Sequence, residues 1–234
     1  MEKKYLFFDI DGTLTDRSTG EIVPSAREAL TRLEENGHFV AIATGRAHYK
    51  ARKFTDANGF KNMVCCGGNG CVIDNELVEN IPLDKDGCIK IIHQAEELGY
   101  GWCVALDDTK DVYMTDDKFL RQVGKRKEPT RYIIDDMLEV EKADAIYKVY
   151  VAIPKEDEEK LTTKELVGHL RFEPEYLMFQ PDNKRGGIIK MMEHLNADIK
   201  DVVVFGDDYN DMDMFCPEWF SIAMGNACQD LKDI

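Results

Sequence analysis

The 234-residue chain has no run of the roughly 18 apolar residues that a membrane-spanning helix requires. Its N-terminus lacks the apolar core of a secretory signal, and we expect a cytoplasmic protein without membrane association. Basic residues are the minority: 30 Lys and Arg stand against 45 Asp and Glu, for a formal net charge of −15. A field of that sign repels nucleic acid and anionic lipid, so neither is expected as a partner. It does not exclude a phosphorylated substrate, because a local cluster of metal and lysine overrides the global field. Seven cysteines, at 65, 66, 71, 88, 103, 216 and 228, form no CxxC pair or other zinc spacing. Reduced, mostly buried thiols are expected. Five histidines (His38, His48, His93, His169, His194) match no metal or catalytic pattern and read as surface or packing residues. No internal repeat or low-complexity segment is present.

What the chain does have begins at its start. Tyr5 to Phe8 is too short for a helix and rich in aromatics, which predicts a buried strand. It runs into Asp9-Ile10-Asp11-Gly12-Thr13, two carboxylates separated by one residue with a turn glycine after them. Period-two geometry aims both carboxylates to one side at the strand exit. Held together as anions they need a cation or other positive partners, and a hard oxygen-seeking ion such as Mg2+ meets that need. Taken alone, the pair reads equally well as an acidic turn.

The pattern then alternates. Ser25 and Glu28 resemble a capping box opening a helix that ends near Asn36-Gly37. Phe39 to Ala43 is a second strand, running straight into Thr44-Gly45-Arg46. Strand, helix and strand at this spacing predict a parallel βαβ unit with ligands at the carboxyl ends, which sets Asp9 beside Thr44. A helix over 47–58, a strand over 63–66 and a hairpin around Asp74-Asn75-Glu76 follow. From about Pro82 to Pro181 the pattern becomes helix, paired strands, a helical charge-rich middle, a strand over 145–153, a helix over 155–166 and two more strands. This predicts an inserted α+β domain. Lys125-Arg126-Lys127-Glu128 and Lys155 to Lys160 read as solvated faces. The βαβ pattern resumes at Asp182-Asn183-Lys184-Arg185-Gly186-Gly187, with a helix over 188–195. A strand over 202–205 ends on Gly206-Asp207-Asp208-Tyr209-Asn210-Asp211, and a short helix (212–215) and a strand (220–223) complete the chain.

Asp9 with Asp11, Thr44-Gly45-Arg46, Lys184, and Asp207 with Asp211 all fall at strand ends or helix starts of one α/β core. Phosphoryl transfer uses such a set, because it depends on positioning and charge neutralisation. A carboxylate can attack phosphorus, a second acid serves the leaving group and then water, and a divalent ion offsets the charge.

The motifs DIDGT, ATGR, GGNG, NKRGG, GDDYNDMDM and AMGN, in that order, resemble those of haloacid dehalogenase (HAD) superfamily phosphatases of the Cof-like, type IIB group. The resemblance implies a Rossmann-like parallel-sheet core over 1–81 and 182–234, with an inserted α+β cap of the C2B type over 82–181. It implies a Mg2+-dependent phosphomonoesterase that forms an aspartyl-phosphate on a small phosphorylated metabolite, such as a sugar phosphate. Either a monomer or a homodimer is expected. By the same resemblance Asp9 is the nucleophile and a metal ligand. Asp11 is the general acid/base and gives the metal its backbone carbonyl. Thr44 and the Gly45 amide bind phosphate, Lys184 neutralises phosphate and nucleophile, Asp207 and Asp211 are metal ligands, and Asn210 lies on the phosphate or metal shell. Arg46 either binds substrate or pairs with an acidic loop. Asn69 lines the site mouth or permits a turn, and Asp208 is structural.

Without the family, Thr44 reads first as a helix N-cap and Lys184 as an exposed lysine. Arg185 stands where the family usually has glycine, which implies a different approach of the following helix to the phosphate. Family members usually continue past AMGN with a further helix and strand. DIDGTLT with Arg17 also resembles phosphomannomutases, so a phosphomutase is the alternative. A non-catalytic metabolite-binding module is the third reading.

Overall fold

The computed structural model describes residues 2–126 and 130–234, without the side chain of Phe172. Lys127 and Glu128 of the first charge-rich run lie outside the described residues. In chain order the first half comprises β1 (Tyr5–Phe8), α1 (Pro24–Glu35), β2 (Phe39–Ala43), α2 (His48–Asn58), β3 (Met63–Cys65), β4 (Gly70–Ile73) and β5 (Glu76–Asn80). Then come α3 (Lys85–Glu97), β6 (Trp102–Ala105), β7 (Asp111–Met114), α4 (Lys118–Val123), β8 (Arg131–Ile134), β9 (Lys148–Val151), β10 (His169–Glu173) and β11 (Tyr176–Phe179). The last stretch holds α5 (Lys184–His194), β12 (Val202–Gly206), β13 (Phe220–Ala223) and α6 (Gln229–Lys232). Two compact units result, Met1–Asn80 with Asp182–Ile234, and Ile81–Pro181.

The first unit is a seven-stranded sheet in the order β13-β12-β1-β2-β3-β4-β5. Its five leading strands are parallel, and β4 and β5 extend it as antiparallel neighbours. Side chains alternate across β1 as period two demands. Phe7 enters a core with Ile188, Met191 and Met192 of α5, whereas Leu6 and Phe8 join Leu30 of α1 and Ala51 of α2. Covering both faces makes the strands apolar throughout, the pattern by which the sequence announces them. The turn between β4 and β5 places Asp74 at φ 49° and Asn75 at φ 68°, the left-handed pair of a tight hairpin.

The second unit is a six-stranded sheet, β10-β11-β9-β6-β7-β8, in which β7 and β8 pair parallel and the other described neighbours pair antiparallel. On one face Cys88, Ile91 and Ile92 of α3 pack on Trp102, Val104 and Val149. The other face packs Cys103, Tyr150 and Met178 with Phe119 of α4.

Several expectations are corrected. Ser25 is not a cap: α1 starts at Pro24 with Val23 in the cap position and no side-chain bond, because proline presets the first helical φ. The helix expected over 155–166 is two 3-10 turns, Lys155–Lys160 and Lys164–Leu166. Its first segment has no buried residue, and without an apolar stripe a long helix has nothing to pack. The helical middle contains the six-residue α4 and then strand β8, which pairs with β7. The helix expected over 188–195 begins at Lys184. The short helix after Asp211 is a 3-10 turn over Tyr209–Met214, and α6 follows AMGN. Arg126 is no solvated cation, since its guanidinium lies 3.8 Å from the Tyr150 ring centroid. None of the seven cysteines is joined in a disulfide, and burial pushes Cys71, Cys88 and Cys103 up to about 12. Among the described residues, no helix is long and apolar enough to cross a membrane.

Candidate active site

Strand order explains the site. β1 lies between β12 and β2, with Phe8 in register with Phe205 on one side and Ile42 on the other. Parallel strands in register end together, so Asp9, Asp207 and Thr44 emerge at one edge. Asp9 N–H donates to the Phe205 carbonyl at 3.1 Å, and Thr44 N–H to that of Val64 at 2.9 Å. Lys184, the first residue of α5, joins them and is 0% exposed.

The Lys184 ammonium donates to Asp9 Oδ1 at 2.8 Å and to Asp211 Oδ1 at 2.6 Å. Asp9 Oδ2 accepts the Asp11 N–H at 2.9 Å. Asp211 Oδ2 accepts the N–H groups of Asp207 at 2.9 Å and Asp208 at 3.2 Å, which fixes the loop leaving β12. Asp207 is held by the Thr13 hydroxyl at 2.9 Å on Oδ1. Its Oδ2 accepts from Arg17 Nη2 at 2.6 Å and Asn226 Nδ2 at 3.3 Å. Burial pushes the Asp9 carboxyl up to about 6; Lys184 opposes that rise, while Asp211 and Asp11 add to it. Burial works against the Lys184 cation, but Asp9 and Asp211 outweigh it and hold the amine above its ordinary range.

The donor set fits a divalent cation. Asp9, Asp207 and Asp211 are all buried, and each offers a carboxylate oxygen within 4.8 Å of the others. Three carboxylates against the Lys184 ammonium and the Arg17 guanidinium leave a net negative centre, and all-oxygen donors suit a hard ion such as Mg2+.

The remaining expected residues are placed as follows. Asp11 turns its carboxylate to Arg46, whose Nη2 lies 2.6 Å from Oδ1 and 2.9 Å from Oδ2, with Nε 3.2 Å from Oδ2. Arg46, expected on substrate or on an acidic loop, is on Asp11. Thr44 is buried, and its hydroxyl oxygen accepts the Arg46 N–H at 3.2 Å. It is no helix cap, because α2 starts at His48 behind Ala47. Gly45 is half-buried in that loop, and Asn210 is half-buried in the 3-10 turn that carries Asp211. Asp208 caps that turn and also accepts from Arg17 at 2.8 Å.

Thr13, Asn226 and Gly68 are parts of the site whose roles sequence reasoning missed. Asn226 also donates to the Gly12 carbonyl at 2.9 Å, tying the loop after β13 to the first motif. Gly68, at φ +106°, has no room for a Cβ against the Asn183 carbonyl. Its loop links the site halves, since Gly67 N–H reaches the Thr44 carbonyl at 3.3 Å and the Gly67 carbonyl receives Asn183 N–H at 2.8 Å. Their motifs, DIDGT, AMGN and GGNG, were visible; the hydrogen-bond partners lie far off in sequence.

A raised carboxyl has a stability consequence. The unfolded Asp9 loses its proton near 3.8, the folded one near 6. Between these values the native state holds the extra proton, so the stability of chelator-treated protein should fall as pH rises through the window. Asp9→Asn should therefore be more stable than chelator-treated wild type near neutral pH. Calorimetry across that range checks this, and a variant less stable at neutral pH contradicts it.

The sequence profile of the haloacid dehalogenase-like hydrolases matches residues 6–234. YkrA of Bacillus subtilis (strain 168), provisionally named a phosphatase, is 29% identical over 237 residues, spanning 100% of this chain and 91% of its own. The pyridoxal phosphate phosphatase YbhA of Escherichia coli (strain K12) is 27% identical over 254 residues, spanning 99% of this chain and 91% of its own. A solved protein of Geobacillus kaustophilus HTA426 shares the fold at TM-score 0.80 and 26% identity, covering 99% of this chain and 91% of its own. The HAD subclass IIB sugar phosphatase BT4131 shares the fold at TM-score 0.75 and 23% identity, covering 99% and 91%. The chain belongs to the haloacid dehalogenase-like hydrolase family, in its Cof-like branch, and is an enzyme of the phosphomonoesterase class.

Proposed function

We propose that the chain is a Mg2+-dependent phosphatase that hydrolyses a small cytosolic phosphorylated metabolite through an aspartyl-phosphate at Asp9. The observation that carries this reading is the single ammonium of Lys184 shared between Asp9 and Asp211. It holds a buried carboxylate at a strand end, where a phosphoryl group can meet it. In the first step an Asp9 oxygen bonds to phosphorus and the bond from phosphorus to the leaving oxygen breaks. Asp11 gives that oxygen its proton. In the second step water attacks phosphorus, Asp11 takes the water's proton, and Asp9 leaves with inorganic phosphate released. Thr44 and the Gly45 amide bind the phosphoryl oxygens, with Asn210 beside them, and Lys184 offsets their charge. Asp9, Asp207 and Asp211, with the Asp11 carbonyl, would hold Mg2+, which supplies charge neutralisation between nucleophile and phosphate.

The unit over 81–181 is assigned the role of cap, which chooses the leaving group. Relatives named for pyridoxal phosphate and phosphoglycolate support a small phosphomonoester as substrate. Seven cysteines without a disulfide support a reducing compartment.

The test is phosphate release from a panel of phosphorylated metabolites with Mg2+, wild type beside Asp9→Asn. Release should vanish in the variant and in excess chelator, returning in the latter case with added Mg2+. Release unaffected by Asp9→Asn rejects the mechanism, and transfer to a sugar phosphate without free phosphate selects the mutase.

The pairing of Arg46 with Asp11 makes a second prediction. If Arg46 aims the acid, Arg46→Met should slow alkyl phosphates by about tenfold more than p-nitrophenyl phosphate, whose leaving group needs no proton. Equal losses on both would return Arg46 to the phosphoryl group.

A further inference from the structure

We infer that Asp213 is a positioning residue for Lys184, acting through the main chain of α5; this rests on the catalytic role proposed for Lys184. A lysine ammonium sits on a flexible four-carbon stem. Its place is therefore only as well defined as its acceptors and the backbone from which the stem starts. The acceptor Asp211 and the anchor Asp213 lie on the same 3-10 turn, Tyr209–Met214. Asp211 Oδ1 receives the ammonium at 2.6 Å, while Asp213 Oδ2 receives the Arg185 N–H at 2.9 Å. One short turn thus grips both ends of the lysine, the charged tip and the peptide immediately after its Cα.

The other contacts of the α5 start leave this task to Asp213. Asn183 Oδ1 caps Gly186 N–H at 2.9 Å, a bond within the same element that says nothing about where the helix sits. Asn183 N–H on the Gly67 carbonyl fixes the entering chain, and Gly187 lies against Val64 and Gly68, pressing the first turn toward the sheet. Among the described contacts, Asp213 is the one side chain that ties a first-turn amide of α5 to the loop carrying the metal-ligand candidates. Arg185 reinforces it: the guanidinium reaches Glu218, just beyond the same turn. Position 185 thus joins α5 to that turn by its backbone and its side chain together.

The other oxygen of Asp213 is buried with no hydrogen-bond partner among the described residues. A carboxylate that gives up hydration on one oxygen to reach one amide is placed for geometry.

The test uses Asp213→Ala, which removes the acceptor, and Asp213→Asn, which keeps an oxygen there. Asp213→Ala should lower kcat by about tenfold or more with KM changed less than about threefold. Asp213→Asn should stay within about threefold of wild type, and in a Lys184→Met background Asp213→Ala should add no further loss. A loss that persists in that background, or one as large for asparagine as for alanine, overturns the proposal. Amine labelling keeps this separate from the catalytic reading: with no substrate present, Lys184 should become reactive to an acylating reagent in Asp213→Ala and stay protected in Asp213→Asn. Protection unchanged in Asp213→Ala overturns the positioning role even if the enzyme's substrate is never found.

Discussion

Everything in the first unit converges on one buried ammonium. Lys184 has no exposed surface, and its two partners are carboxylates buried beside it. Buried carboxylates at this spacing repel, and an unpaired buried cation is costlier still. The cation is tolerable only because carboxylates face it, and its bonds to Asp9 and Asp211 constrain the loop after β1, the start of α5 and the turn after β12 together. The same arrangement leaves Asp9 poorly stabilised as an anion, which is what a nucleophile awaiting a cationic partner and a phosphoryl group requires.

The sheet order delivers these groups with little freedom. A parallel register between β1, β2 and β12 ends three strands at one edge, and the backbone bonds of Asp9 and Thr44 to neighbouring strands hold them there. Around this rigid edge lie exchangeable contacts. Arg46 on Asp11 and Arg17 on Asp207 and Asp208 are guanidinium pairs nearer the surface, where solvent weakens an ion pair. The division is one of exposure: Asp9, Lys184 and Asp211 are buried, whereas Arg17 and Asp11 reach solvent.

Local pattern and long-range packing account for what could and could not be read from the amino acids. β1 and β2 are legible because apolar runs of four and five residues beside turn residues are too short for helices, and Asp9, Thr44 and Asp207 follow from where such runs stop. Lys184 was different. Asp182-Asn183-Lys184-Arg185 is a polar run whose local character says surface, and only motif order singled out the lysine. Its burial depends on Asp9, 175 positions away. The segment over 155–166 failed for the opposite reason: helix-forming residues without an apolar stripe gave 3-10 turns closed by pairs such as Lys160 with Asp157 at 2.7 Å. Strand β8 depended on β7, and Asp213 on the helix it meets; neither partner is near in sequence.

The central claim is that Asp9, held by Lys184, accepts the phosphoryl group. Mass spectrometry of enzyme acid-quenched during turnover tests it most directly. The account predicts one phosphoryl group on the tryptic peptide from Tyr5 to Arg17, localised to Asp9 and released by hydroxylamine. A phosphoryl group on another residue, or none while phosphate is being produced, would contradict it.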